Sequence, residues 1–311
     1  MEYITLKNSD LNVSRLCMGG CPMGRYGWGE VKEEELIEAV HAATDNGVNF
    51  FDTADTYGLG QAEITLGKAL GKKRSKMVIG SKFGVRILNG KTVYDNSRAW
   101  IQEALEGSLR RLNTDYIDLY QVHYRDGVTP IEEVVESMEI MKSKGYIRYY
   151  GLSNICNEDL SELEIYNGKF ITFQNEYSLA CRKHEQDIMN ICDKMDMNIM
   201  TWGSLGQGIL TGKYDLKSTF DKNDRRSRDI YVNFHGEKLE KNLLIVEELK
   251  KIAIAHQKPI SSVAIRYILD FLSEAVVLFG AKKPGQVLDN IQGADWHLSD
   301  EELKCLEVIS K

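Results

Sequence analysis

The chain has 311 residues and the composition of an ordinary globular protein, with 43% apolar and 27% charged residues. Its 39 basic and 46 acidic side chains give a net charge of −7, which argues against nucleic acid or an anionic membrane as a partner. No run approaches the roughly 20 apolar residues that a membrane-spanning helix needs. Four prolines exclude a proline-rich stalk.

The N-terminal segment and the cysteines bear on the cellular compartment. The first ten residues have neither the basic nor the apolar region of a signal peptide. Six cysteines are spread thinly and no CxxC pair occurs, so we expect reduced thiols and a cytoplasmic protein. Cys17 and Cys21 form the one close pair. Zinc ligation by that pair with a distant histidine is the minor alternative, and we predict no metal site.

Short apolar runs alternate with amphipathic stretches along the chain. An N-terminal hairpin is predicted from Tyr3–Lys7 and Leu11–Val13. Eight further strands are predicted at Arg15–Met18, Asn49–Asp52, Met77–Ser81, Ile117–Val122, Tyr149–Leu152, Thr172–Asn175, Asn198–Thr201 and Val276–Leu278. Helices are predicted at Glu33–Asn46, Gln61–Leu70, Ser97–Leu112, Ile131–Lys144, Asn157–Asn167, His184–Met195, Glu237–His256, Ser261–Phe271, Gln286–Ala294 and from Ser299 to Ile309.

Short, continuously apolar strands separated by helices are typical of a parallel sheet that is covered by helices. Eight such units predict an α/β fold, a (β/α)8 TIM barrel with an N-terminal β-hairpin and extra helices, forming one domain over residues 1–311. The alternative is a doubly wound open sheet, which would need GxGxxG directly after its first strand. The segment Gly19–Gly24 lacks that spacing, so the barrel is favoured.

Four polar residues lie where strands end, at the face on which barrels carry their chemistry. Asp52 ends the second strand with Tyr57 just beyond, Lys82 follows the third strand, and His123 follows the fourth. Each residue alone is commonly a cap, a surface charge or a packing residue. Together they suit proton delivery to a carbonyl oxygen, with Lys82 lowering the pKa of Tyr57 and Asp52 balancing the lysine. The histidine would orient that oxygen or share the proton relay.

The segment Gly47–Gly58, GVNFFDTADTYG, resembles the aldo-keto reductase signature, with Glu63 following it. Its form is similar to that of a bacterial branch that also contains potassium-channel β subunits. Further segments that resemble the family are Ser81–Gly84, Gln121–His123 and Lys144–Asn154. The resemblance runs from about residue 3 to residue 311, in order and with the expected spacing.

The resemblance implies an NADP-dependent oxidoreductase that acts on a small carbonyl substrate. Tyr57 falls at the family's general-acid position, and Lys82, Asp52 and His123 fall at its other catalytic positions. In the channel β subunits the histidine position commonly carries asparagine, so His123 favours an active reductase. Trp202, directly after the seventh strand, is well placed to stack on a nicotinamide.

The resemblance also assigns the remaining contacts to NADP(H). Ser153, Asn154 and Gln174 match residues that bind the nicotinamide carboxamide. The loop expected around the pyrophosphate comprises Gly203, Ser204, Leu205, Gly206, Gly208 and Leu210. Gly280 and Lys282 match the 2′-phosphate site, where a glycine-rich turn, two lysines and a helix N-terminus form an anion site, and Gln286 and Asn290 match adenine contacts.

Two other functions stay open on the sequence. One is an NAD-linked dehydrogenase of a sugar alcohol or cyclitol, because a lysine at position 282 does not exclude a 2′-hydroxyl. The other is a cofactor-binding regulatory subunit. The candidate substrate-pocket residues are Met23, Tyr26, Trp28, Arg86 and Tyr124. The polar segment Asp215–Phe234 is interpreted as a mobile loop over the cofactor or, equally, as a solvated insertion.

Overall fold

The computed structural model describes all 311 residues. Its twelve strands are β1 (Tyr3–Thr5), β2 (Asn12–Ser14), β3 (Leu16–Gly19), β4 (Phe50–Asp52), β5 (Val78–Phe83), β6 (Val85–Leu88), β7 (Lys91–Tyr94), β8 (Ile117–Val122), β9 (Ile147–Ser153), β10 (Thr172–Glu176), β11 (Asn198–Trp202) and β12 (Val276–Gly280). Its ten α-helices are α1 (Glu33–Asp45), α2 (Gln61–Leu70), α3 (Arg98–Leu112), α4 (Ile131–Ser143), α5 (Leu160–Leu163), α6 (Glu185–Lys194), α7 (Gly236–His256), α8 (Ile260–Phe271), α9 (Pro284–Ile291) and α10 (Asp300–Ile309).

Eight of these strands close into one parallel barrel in chain order, from β3, β4, β5, β8 and β9 to β10, β11 and β12, which pairs back with β3. All eight predicted strands are present, so the predicted (β/α)8 barrel is confirmed. The predicted N-terminal hairpin is confirmed as well, with β1 and β2 antiparallel and Tyr3 opposite Ser14. None of the ten helices has both the length and the apolar composition needed to cross a membrane.

Apolar side chains form two separate cores. The smaller core fills the barrel interior, where Leu6 and Leu11 from the hairpin connection pack with Phe50, Leu119 and other inward strand residues. The larger core, of 65 buried residues, joins the outer strand faces to the surrounding helices. The hairpin therefore closes one end of the barrel, and the chemistry is left to the opposite end.

Two helices begin at capping side chains that the sequence contains. The side chain of Ser97 accepts a hydrogen bond from the N–H of Trp100 at the start of α3. Ser299 and Glu302 form the predicted capping box of α10, each side chain accepting from the other residue's N–H. These bonds satisfy N–H groups that a helix start otherwise leaves without partners.

Two segments differ from the predictions. The predicted helix over Asn157–Asn167 consists of the single turn α5 between two 3₁₀ turns. It buries only Leu160 and Leu163, and this three-residue spacing suits a 3₁₀ turn as well as an α-helix. The hairpin β6–β7 was not predicted. Its two-residue turn is Asn89-Gly90, both at positive φ, which fits a tight hairpin turn.

The strand register places the functional residues at one level. Asp52 of β4 pairs with Gly80 of β5, and Lys82 follows two residues later on the same side of the strand. A Cβ at Gly80 would lie 3.4 Å from Asp52 Oδ2 and from Gln121 Nε2, so glycine leaves room for that carboxylate. The Asp52 and Lys82 side chains therefore meet inside the barrel mouth.

A buried acidic cluster lies beneath the β4–α2 connection that carries Tyr57. Glu63 is fully buried, and its carboxylate accepts hydrogen bonds from Ser81 Oγ at 2.5 Å and Arg111 Nε at 2.7 Å. Asp55 Oδ1 is buried there without a hydrogen-bond partner. Burial, together with the nearby charge of Glu63, raises the pKa of Asp55 to about 8.

This shift predicts a pH-dependent stability. Because the folded pKa of Asp55 lies above its unfolded value, the folded chain holds the extra proton between about pH 4 and pH 8, and stability falls as pH rises through that window. Asp55→Asn should remove this loss and gain about 2–4 kcal/mol at pH 7.5. Urea unfolding from pH 4.5 to 8 measures it, with exposed Asp229→Asn as the control. Parallel pH curves for wild type and Asp55→Asn would contradict the assignment.

Candidate active site

The carboxyl ends of the barrel strands open into a cavity of about 640 Å³. Most of the predicted site residues line it: Asp52, Tyr57, His123, Ser153, Asn154, Gln174, Trp202, Gly203, Ser204, Leu205, Gly208, Gly280, Lys282, Gln286 and Asn290. Lys82, Gly206 and Leu210 do not. The structure thus brings residues from six barrel strand ends and the loops after them to one cavity.

Lys82 lies beneath the cavity wall, paired with Asp52. Its Nζ donates to Asp52 Oδ1 and, at 3.0 Å, to the carbonyl oxygen of Thr53. Both side chains are almost fully buried, at 1% and 2% exposure. Two charges this deep in the protein are tolerated only because each compensates the other.

The second carboxylate oxygen of Asp52 is held by two amides. Gln121 Nε2 and Gln174 Nε2 donate to Oδ2 at 3.1 and 3.0 Å. Gln121 was not predicted as a site residue, although its polar side chain near the end of β8, two residues before His123, was a usable signal. The two glutamines and Lys82 together fix the orientation of the carboxylate.

Tyr57 lines the cavity and stands above this ion pair. The Nζ of Lys82 lies 5.3 Å from the centre of the Tyr57 ring. Burial, with the neighbouring Cys21 and Asp52 acting in the same direction, raises the pKa of Tyr57 well above its usual value, while Arg225 opposes the rise. Burial outweighs the nearby positive charge, so the net shift in the free protein is upward, and the lowering of this pKa by Lys82 stays a prediction. Tyr57 keeps its proton at neutral pH.

A tight backbone contact fixes the position of Tyr57. Gly58 has φ of +62°, and a Cβ there would collide with the backbone of Gly24 in the loop after β3. Glycine is the residue that tolerates both the left-handed conformation and the close approach. The turn after Tyr57 can therefore pack directly against that loop.

His123 lies beside Tyr57, with the two rings edge to face and 5.8 Å between centres. It also stacks on Tyr124 at 5.1 Å. Burial, with a contribution from the charge of Lys82, lowers the pKa of His123 to about 3. The imidazole is therefore neutral at physiological pH. It can orient a carbonyl oxygen by hydrogen bonding without bringing a charge into the cavity.

The residues predicted to bind a carboxamide lie next to one another. Trp202 Nε1 donates to Asn154 Oδ1 at 3.2 Å, and Asn154 Nδ2 donates to the carbonyl oxygen of His123 at 3.0 Å. Ser153 Oγ donates to the carbonyl oxygen of Gln174 at 3.0 Å. Because the Gln174 amide nitrogen is turned to Asp52, its amide oxygen stays available to a donor in the cavity.

The turn after β11, which is predicted to lie around a pyrophosphate, places only some of its residues at the cavity. The N–H groups of Gly206 and Gly208 already donate to the carbonyl oxygens of Gly203 and Leu205, at 2.7 and 2.9 Å. The N–H of Leu210 also donates to Leu205, and its side chain is buried in the core. Gly206 and Leu210 therefore support the turn without lining the cavity. Gly203, Leu205 and Gly208 line the cavity.

Lys282 lies in the cavity wall, on the loop between β12 and α9. Its Nζ donates to the carbonyl oxygen of Trp28 at 2.8 Å, and its backbone N–H donates to Gln286 Oε1 at 2.7 Å. Burial, with the adjacent charge of Arg226, lowers the pKa of Lys282. Asn290 also lines the cavity, with Nδ2 placed 3.5 Å from the carbonyl oxygen of Gly280.

Lys213, Arg226 and Lys282 lie near one another in the cavity wall. Lys283 does not line the cavity, and its Nζ is paired with Glu35 at 3.2 Å. A cluster of cations of this kind is suited to polyanions such as phosphate groups.

Only two of the five candidate substrate-pocket residues line the cavity. Trp28 and Tyr124 line the cavity, Met23 is fully buried in the core, and Tyr26 is 62% exposed outside the cavity wall. Arg86 lies on β6, away from the wall. The lining residues that sequence analysis did not single out include Gln207, Lys213, Tyr214 and Tyr231. They come from long connections whose placement depends on distant contacts.

The donor set of the cavity fits a nicotinamide dinucleotide phosphate. The wall carries an indole, Trp202, the free amide oxygen of Gln174 and the three cations. These groups suit a nicotinamide ring with its carboxamide and the phosphates of the same molecule. No group of three or more His, Cys, Asp or Glu side chains is arranged to hold a metal ion.

Comparison with known proteins agrees with this geometry. The sequence profile of the Aldo/keto reductase family matches residues 15–311. Aldo-keto reductase YhdN of Bacillus subtilis is 35% identical over 99% of this chain and 93% of its own length.

Two solved structures extend the likeness to the whole fold. A glycerol dehydrogenase from Gluconobacter oxydans superposes with a TM-score of 0.89 at 34% identity, covering 99% of this chain and 94% of that one. An aldo-keto reductase from Klebsiella pneumoniae in complex with NADPH superposes with a TM-score of 0.78 at 26% identity, covering 100% and 96%. The chain belongs to the Aldo/keto reductase family.

Proposed function

We propose that this protein is an NADP-dependent oxidoreductase that reduces aldehydes or ketones to alcohols, with Tyr57 as the general acid. The observation that carries the proposal is the placement of Tyr57 and His123 in one cavity above the buried Lys82–Asp52 pair. Family membership supports carbonyl oxidoreduction as its chemistry, and an NADPH-bound relative supports the cofactor. Six free cysteines support a reducing, cytoplasmic setting.

The cofactor, when bound, supplies the hydride for the carbonyl carbon. The chain's own residues manage the carbonyl oxygen. Neutral His123 orients that oxygen by a hydrogen bond, and Tyr57 gives it the phenolic proton. An alkoxide is a stronger base than a phenolate, so the raised pKa of Tyr57 still leaves this transfer favourable.

Lys82 and Asp52 act in support of Tyr57. In the resting site the lysine compensates Asp52, which otherwise would raise the pKa of Tyr57 further. When Tyr57 gives up its proton, the ammonium 5.3 Å from its ring stabilises the phenolate. The pair therefore serves the proton donor before and after the transfer, without entering the cavity.

A second candidate is oxidation of a polyol, which the likeness to a glycerol dehydrogenase favours. The same residues would act in reverse, with the Tyr57 phenolate accepting the hydroxyl proton. A purely regulatory cofactor-binding role is disfavoured, because the four catalytic positions are filled and assembled. Initial rates with NADPH and NADH against aldehydes, ketones and polyols separate these functions.

The first test removes the proposed acid. Tyr57→Phe should lower kcat for carbonyl reduction by about 10²–10⁴-fold, because only the phenol can protonate the alkoxide. Cofactor affinity, read by fluorescence titration, should be retained. Tyr120→Phe is the control, since this tyrosine is fully buried outside the cavity and its hydroxyl has no partner. Near-normal turnover by Tyr57→Phe would refute the assignment.

The second test separates the electrostatic role of Lys82 from its structural role. Lys82→Met leaves the Asp52 carboxylate buried without compensation and should cost about 3–5 kcal/mol of unfolding free energy in urea. The double variant Lys82→Met/Asp52→Asn should recover most of that stability. Its kcat should stay low, because no ammonium remains to stabilise the Tyr57 phenolate. A double variant with wild-type kcat would show that Lys82 is only structural.

The third test concerns the choice of cofactor. Lys282→Ala removes one cation of the cluster and should weaken NADPH binding by about 10- to 100-fold, the value of a charge-assisted contact. NADH binding should change little, because its 2′-hydroxyl is uncharged. Lys283→Ala is the matched control, since Lys283 is paired with Glu35 outside the cavity. Equal losses for both cofactors in Lys282→Ala would contradict a 2′-phosphate contact.

A further inference from the structure

Arg225 lines the cavity and begins a 3₁₀ turn, Arg225–Ser227, in the long connection between β11 and α7. Two hydrogen bonds to backbone carbonyl groups hold it in place. Its N–H donates to the carbonyl oxygen of Gly27 at 3.0 Å, and its Nη2 donates to the carbonyl oxygen of Tyr26 at 2.9 Å. The guanidinium lies 5.0 Å from the centre of the Trp28 ring. The side chain is thus held at a defined place in the cavity wall.

The charge of Arg225 has no carboxylate partner, unlike that of its neighbour. Arg226 forms two hydrogen bonds to Asp224, from Nε at 2.8 Å and from Nη2 at 2.5 Å. No acidic side chain lies within 4.0 Å of the Arg225 guanidinium, and the remaining partner of its Nη1 is Cys21 Sγ at 3.8 Å. A half-buried, uncompensated cation is costly unless an anion meets it.

Arg225 belongs to the part of the cavity where the carbonyl would react. It shares the wall with Tyr57, Cys21, Trp28 and Tyr124. Its charge also opposes the rise in the pKa of Tyr57, which places the guanidinium within electrostatic reach of the acid. Arg226 and Lys282 also contact Trp28, so the cations suited to cofactor phosphates lie next to Arg225.

We propose that Arg225 is a specificity-determining residue that selects carbonyl substrates carrying an oxyanion, a carboxylate above all. The planar guanidinium fork matches a carboxylate in two parallel hydrogen bonds, and the aromatic wall of Trp28 and Tyr124 shields that pair from water. The proposal rests on the proposed carbonyl reduction and adds the substrate class to it. Neutral carbonyl compounds would be poorer substrates because they leave the guanidinium uncompensated.

The test compares matched substrates. With NADPH, wild-type kcat/KM should be higher for 4-carboxybenzaldehyde than for benzaldehyde. In Arg225→Met the ratio of the two values should fall by about 10- to 100-fold, chiefly through KM of the carboxylate. Arg225→Lys should keep part of the preference, because it keeps the charge and loses the fork. Arg228→Met is the control, an exposed arginine of the same loop. Glyceraldehyde and its 3-phosphate form a second pair, which separates phosphate from carboxylate recognition.

The outcomes distinguish this inference from the proposed function. A wild-type enzyme that reduces the neutral aldehydes without preference for either anionic partner overturns the inference alone. The inference is also overturned if Arg225→Met lowers kcat/KM equally for charged and neutral substrates, or if it weakens NADPH binding in proportion. In either case the arginine serves the loop or the cofactor. If no aldehyde is reduced, the proposed function fails. Calorimetry of 4-carboxybenzaldehyde binding to wild type and Arg225→Met then decides the inference separately.

Discussion

The buried pair of Lys82 and Asp52 constrains the whole mouth of the barrel. Moving two ions of this kind out of water costs several kcal/mol each, so the pair is stable only while both partners and their hydrogen bonds stay in place. Gln121, Gln174 and the Thr53 carbonyl supply those bonds from the neighbouring strand ends. A one-residue slip of β4 against β5 would separate the charges. The pair therefore fixes the strand register that positions Tyr57, and stability and chemistry depend on the same contact.

The surroundings of the buried Lys82–Asp52 pair also determine the protonation of the side chains above it. Burial is the largest cause of the pKa shifts of Tyr57 and His123, with smaller contributions from Asp52 at Tyr57 and from Lys82 at His123, and it keeps both side chains neutral. A neutral donor and a neutral orienting group suit a reaction in which negative charge develops on the substrate oxygen alone. Residue types at strand ends indicate such a set of side chains. Whether each side chain holds its proton depends on burial and neighbouring charges, which only the three-dimensional contacts reveal.

Features that depend on residues close together in the chain could be predicted from the sequence, whereas features that depend on distant contacts could not. The eight barrel strands are apolar runs, and the catalytic positions directly follow strand ends, so both are local signals. The β6–β7 hairpin also had a local signal, the Asn89-Gly90 turn, which the barrel pattern overshadowed. Contacts between distant segments decide whether Gly206 and Leu210 face the cavity or the core. The pairing of Lys283 with Glu35 depends on such contacts as well. Such contacts leave no periodic pattern in the chain.

The proposed catalytic residues and the proposed specificity residue also differ in how firmly the barrel fixes their positions. Tyr57, Lys82 and their partners sit on strand ends or directly after them, where the barrel fixes their geometry with little freedom. Arg225 and Arg226 sit side by side on one long connection, yet Asp224 compensates only the second. Loops of this kind can change without disturbing the barrel, and they commonly set what an enzyme of a given fold accepts. An arginine without a carboxylate partner on such a loop, held by backbone contacts near Tyr57, is consequently the feature on which the proposed substrate preference of this chain rests.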